Sequence, residues 1–132
     1  MWLSMLAIGA GAAVGANLRW LLGLGLNALF PAIPPGTLAA NLLGAWLIGL
    51  AIALFTALPE LPPQWRMFVV TGFLGALTTF STFSAEMFSN LQAGRYGMAL
   101  AGIGIHVAGS LLMTGVGMAT FNVLRQLGGA FR

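Results

Sequence analysis

Five hydroxyl side chains fall within seven residues, at Thr78, Thr79, Ser81, Thr82 and Ser84, with Phe80 and Phe83 interleaved among them. They close the stretch Gly72-Phe73-Leu74-Gly75-Ala76-Leu77-Thr78-Thr79-Phe80-Ser81-Thr82-Phe83-Ser84, inside a charge-free run bounded by Arg66 and Glu86. That run is long enough to cross a bilayer, where lipid-facing positions favour Leu or Val. A hydroxyl cluster there points to something polar handled at membrane depth. Two backbone readings are open. Gly72 and Gly75 loosen a helix and hydroxyls compete for its carbonyls, so the helix can break between Gly75 and Phe80, leaving carbonyls free to hold a cation. Alternatively the helix is unbroken and the hydroxyls bond back to the carbonyls four residues earlier. Phe80 and Phe83, three apart, share a helix face. Their electropositive ring edges can line the path of a small anion without trapping it, or the rings simply pack.

Other polar residues are sparse. Asn41 lies within an apolar run, and its amide is costly in hydrocarbon unless bonded, so it faces protein or water. It can donate to an anion or act as interhelical glue. Ser110 and Thr114, four apart, form a second polar stripe, and His106 lies four residues before Ser110 on the same face. A lone His more often packs than ligates, and no metal-ligand set accompanies it. Arg19 and Glu86 are the charges nearest to or inside the apolar runs. Arg19 can attract anions at a vestibule, or snorkel beside Trp20. Glu86 can stand at a pore mouth or mark the water boundary. With one His, no Cys, no Asp and two Glu, no nucleophile–base constellation forms, so an enzyme is not expected.

Composition sets the elements that must position these groups. The 132 residues are 59% hydrophobic and 5% charged, against about 25% charged in a soluble domain. Mean hydropathy is +0.96. The expected class is an all-α integral membrane protein. All five basic residues are Arg and they are dispersed, so the +3 charge is not a nucleic-acid footprint. Four spans are expected, at about residues 2–26, 36–57, 66–90 and 96–124, forming one four-helix transmembrane domain over 1–132. Pro clusters at Pro31 to Pro35 and Pro59 to Pro63 stop helices. Trp2 and Trp65 fit an interfacial belt, whereas Trp46 is mid-span and needs a partner for its N–H. Met1 to Gly15 lacks a positive n-region and is expected to begin the first span. The absence of a transit segment gives the expectation of a prokaryotic inner membrane.

Glycine occupies 19 positions. Gly11-x-x-x-Gly15 has the spacing for close helix approach, and Gly104, Gly109 and Gly115 stud the fourth span. Four short helices make a poor shell for a polar path, so a two-fold homodimer is expected. Arg66, Arg125 and Arg132 fall on one side of the membrane, against Arg19 and Arg95 toward the other. That bias is weak under the positive-inside rule, so antiparallel, dual-topology insertion is expected.

Gly75-x-x-Thr78-Thr79-Phe80-Ser81-Thr82-Phe83-Ser84, Gly36-Thr37-Leu38-x-x-Asn41-x-x-Gly44 and Asn17-x-Arg19 together resemble the Fluc (CrcB) fluoride channels. The likeness covers nearly the whole chain. It implies an antiparallel homodimer with two fluoride pores and passive, selective fluoride efflux. It also implies a central Na⁺, structural and not transported, held by backbone carbonyls of Gly75 and Thr78 from both subunits. By the same resemblance Phe80 and Phe83 line the pore, Asn41 is the pore-side amide, and Ser110 and Thr114 form a hydroxyl track. Ser81 and Thr82 add hydroxyls near the ion paths, Glu86 lies toward one pore end, and Arg19 sits near a vestibule. Two rivals remain at this stage: a small dual-topology multidrug exporter, which needs a membrane-buried carboxylate, and a membrane subunit without transport activity.

Overall fold

The computed structural model describes residues 1–130. Arg132, which enters the charge count above, lies outside the described residues. Helix α1 spans Trp2–Leu26 and runs on through a short 3₁₀ turn, Asn27–Leu29. Helix α2 spans Pro35–Ala57, with Pro at its first turn, where the missing N–H costs nothing. The third span, Pro63–Gln92, comes in two pieces. Its first piece, α3, covers residues 63–77 and is π-helical over Met67–Leu74. Its second, α4, is Phe80–Gln92, and α5 is Tyr96–Ala130. Among the described residues, four stretches are thus long and apolar enough to cross a membrane. The last helix runs past the expected end at 124, and the π-helical run had no expectation behind it.

Backbone contact at glycines sets the packing. A Cβ at Gly11 would collide with the Phe68 carbonyl, one at Gly15 with the Phe73 carbonyl, and one at Gly72 with the Ile8 carbonyl. The Gly11-x-x-x-Gly15 spacing makes the close approach expected of it, and the helix it seats α1 on is α3. The glycines of the fourth span divide into two sets. Gly104 and Gly115 face open space, and Gly109 meets only a Leu42 side-chain carbon. The close approach to α2 is made instead by Gly117, against the Trp46 carbonyl, and by Gly49, against the Thr114 carbonyl. The mid-span Trp46 has its partner, donating from Nε1 to Thr120 Oγ1 at 3.3 Å. A small core of Ala40, Ala51, Phe55, Leu74 and Leu77 lies between α2 and α3. Much large apolar surface is left exposed, Trp2, Leu24, Leu111 and Leu112 among it, as lipid contact requires.

Candidate functional site

The third span is interrupted near its middle, and only over two residues. Thr78 (φ −80°, ψ 155°) and Thr79 (φ −149°, ψ 119°) are extended, while Gly75 remains helical (φ −62°, ψ −33°). The break is thus milder and later than an opening from Gly75 to Phe80. Part of the unbroken-helix reading survives, because Thr78 Oγ1 still donates to the Leu74 carbonyl at 2.9 Å.

Side chains from elsewhere hold the interruption open. In a continuous helix the Thr79 N–H would bond the Gly75 carbonyl. Here it donates to Asn41 Oδ1 at 2.7 Å, and Asn41 Nδ2 donates back to the Thr79 carbonyl at 3.1 Å. The Thr82 N–H, which would serve Thr78, donates to Thr79 Oγ1 at 3.1 Å, so Thr79 is the N-cap of α4. Below the break, Arg19 Nε donates to the Ala76 carbonyl at 2.9 Å, placing a cation at the C-terminal end of α3. Gly44 makes room for the Thr78 methyl group, which a Cβ at residue 44 would strike.

A cavity of about 520 Å³ lies against this break. Asn41, Gly75, Thr78, Thr79, Phe80, Phe83, His106, Ser110 and Thr114 are all among its lining residues. The Phe80 and Phe83 rings meet edge to face, with centroids 5.4 Å apart and planes at 69°. Phe83 also lies 4.5 Å from the His106 ring. His106 is buried, and Asn41 Nδ2 meets its Nδ1 at 3.1 Å. An amide NH₂ can only donate, so Nδ1 accepts and a neutral ring carries its proton on Nε2, a buried atom with no protein partner. Thr114 Oγ1 bonds back to the Ser110 carbonyl at 3.0 Å. Among the described lining residues none is Arg, Lys, Asp or Glu.

Not every candidate residue converges there. Ser81 is exposed and outside the cavity lining, its Oγ 3.3 Å from Thr79 Oγ1. Thr82 lines a second cavity of about 320 Å³, together with Arg19, Thr37 and Thr79. Glu86 lines neither. It is half-buried, its Oε1 accepts from Thr37 Oγ1 at 2.6 Å, and its Oε2 is buried without a partner. Two positioning residues had drawn no attention. Asn27 Oδ1 accepts the Thr37 N–H at 3.1 Å, covering the open N-terminus of α2. Asn90, 1% exposed, donates to the Ala32 carbonyl at 2.6 Å and accepts from Arg95 Nε at 3.0 Å. An amide at a span end was the available signal for each.

These features define a multi-pass membrane protein whose polar groups gather around a break in one helix. They present an amide, hydroxyls and ring edges. A family model described as "CrcB-like protein, Camphor Resistance (CrcB)" matches residues 6–118, and the chain belongs to that family. A protein of Chromohalobacter salexigens named "Fluoride-specific ion channel FluC" is 79% identical over 132 residues, covering 100% of both chains. Relatives of the same name from Pseudomonas putida and Marinobacter nauticus are 65% and 60% identical, covering 89% and 95% of this chain and 93% and 99% of theirs.

Proposed function

We infer that this chain is a fluoride-selective ion channel, and not an enzyme, giving passive fluoride efflux that lowers cytoplasmic fluoride and its toxicity. The observation that carries the reading is the convergence of Asn41, Phe80, Phe83, Ser110 and Thr114 on one uncharged cavity, in a chain whose full-length relatives are named for fluoride. Fluoride is small and strongly hydrated, so its path must replace water with many donors. An amide, hydroxyls and ring edges do this, and the lack of a full positive charge leaves the ion free to go on.

The finer reading is an antiparallel, dual-topology homodimer with two pores, in a prokaryotic inner membrane. Its support is the open side of the cavity: Phe80 is 76% exposed in one chain, and Gly75 is exposed beside it. A second copy is the simplest cover for both. In this reading Ser81, Thr82 and Arg19 belong to the approach to the pore, and Glu86 to one of its ends.

A structural Na⁺ is the expected cofactor, with the Gly75 and Thr78 carbonyls of both subunits as its ligands. The donor set fits in kind. Diversion of the Thr79 and Thr82 N–H groups takes from these two carbonyls their usual helical partners, and carbonyl oxygens suit a hard cation. Bound there, Na⁺ supplies a fixed positive field against converging carbonyl dipoles. Asn41 keeps the Gly75 carbonyl available by holding the Thr79 N–H, Thr79 Oγ1 does the same for Thr78 by holding the Thr82 N–H, and Arg19 occupies the Ala76 carbonyl between them.

The test is fluoride efflux from liposomes containing only this protein, with chloride as control. Fluoride flux far above chloride flux is expected; equal flux, or none, contradicts the reading.

A further inference from the structure

A cleft of about 440 Å³ lies between the C-terminal ends of α2 and α5. Leu54, Ala57, Leu58, Phe121 and Leu124 line it, and among the described lining residues Arg125 alone is charged. It is separate from the cavity at the helix break, with which it shares no lining residue. A smaller cleft of about 220 Å³ adjoins it through Leu58 and carries Arg66, whose guanidinium lies 5.5 Å from the Phe55 ring centroid. Along α5, Tyr96 and Arg125 are about 44 Å apart at about 1.5 Å per residue. A bilayer with its headgroups is about 40–45 Å thick. With Tyr96 at one interface, Arg125 therefore stands at phosphate depth on the other, and the apolar lining runs from it toward the hydrocarbon.

Charge selects the occupant. The chain has two acidic side chains. Glu86 is bonded to Thr37 in the third span, which leaves Glu60 as the only one in the connection beside this cleft. Arg66 and Arg125 thus outnumber it at this end of the molecule. An apolar slot closed by an arginine at headgroup depth matches an acyl chain with a phosphate above it. We propose that the cleft between the ends of α2 and α5 binds an anionic phospholipid, its phosphate on Arg125 and one acyl chain against Leu54, Leu58 and Phe121.

The test is native mass spectrometry of the detergent-released protein offered phosphatidylglycerol or phosphatidylcholine. Wild type should retain phosphatidylglycerol about fivefold better, the preference expected from one basic side chain near an anionic headgroup. Arg125→Gln should remove that preference, and Arg125→Lys should keep it. Ala57→Phe, which fills the slot, should lower retention of both lipids. Equal retention of the two lipids by wild type, or an undiminished preference in Arg125→Gln, overturns the proposal. So does a change in the monomer–dimer ratio with no change in lipid retention, which would make a second copy the occupant. Lipid retention is read without reference to fluoride flux, so this proposal and the channel reading fail separately.

Discussion

The two halves of the third span are held by opposite means. Helix α3 is fixed by backbone contact: Gly72 meets α1, and Gly11 and Gly15 let the Phe68 and Phe73 carbonyls approach. Helix α4 is fixed by side-chain hydrogen bonds, from Asn41 at its start, Thr37 at Glu86, and Asn90 to the α1–α2 connection at its end. Glycine contact is short-ranged and leaves little freedom, so α3 can serve as a fixed stage. Hydrogen bonds hold α4 in register while Phe80 stays exposed beside the cavity and Phe83 packs within it. The break at Thr78–Thr79 is the joint between the two regimes, and the candidate ion path lies beside it.

The largest expected effect comes from breaking the first regime. Gly15→Leu drives a side chain into the Phe73 backbone, and should destabilise the fold by more than about 3 kcal/mol. Thermal unfolding in detergent checks this. Gly9→Leu, where a Cβ meets nothing within 4 Å, should stay near wild type. Next, Asn41→Ala leaves both backbone groups of Thr79 without their partner, at a cost of about 2 kcal/mol. It should also cut fluoride flux at least about tenfold, equivalent to roughly 1.4 kcal/mol of barrier. A flux loss without a stability loss would separate Asn41 from the joint.

Phe80→Ile and Phe83→Ile sharpen the contrast within α4. Both should lower fluoride flux about tenfold. Only Phe83→Ile should lower stability as well, by about 1–2 kcal/mol, because Phe83 is buried and Phe80 is 76% exposed. Wild-type flux in both variants would return these rings to packing. The smallest effect is expected from Glu86→Gln. The amide can still accept from Thr37, so fluoride flux should change by less than about threefold. Complete loss of transport would instead favour proton-coupled export through that carboxylate.

The fold was largely readable because bilayer thickness sets helix length, and proline clusters mark where α2 and α3 begin. Gly11 and Gly15 were readable because both contacts lie one turn apart on one helix. Gly49 and Gly117 were not, since they lie on different helices and neither stretch alone shows that the two pack together. At the site, Thr78 and Thr79 announced a possible break, but its extent was undetermined. It is set by Asn41, 38 residues from Thr79, and by Arg19, 57 residues from Ala76. Local propensity carries no record of such pairings. A charge or amide in a span shows that a partner exists without naming it. The π-helical run over Met67–Leu74 contains Thr71 and Gly72, but neither residue specifies a π-helical geometry.

The central claim is that the cavity beside Thr78–Thr79 is the fluoride path. The chain has no native cysteine, so a single introduced thiol can be labelled without a background. Thr114→Cys lines the cavity, whereas Thr56→Cys is exposed near the end of α2, outside it. The direct measurement is fluoride efflux before and after complete modification by methyl methanethiosulfonate, with completeness read from the mass. The account predicts a loss of at least about tenfold at residue 114 and no change at residue 56. Undiminished flux through fully modified Thr114→Cys would contradict it.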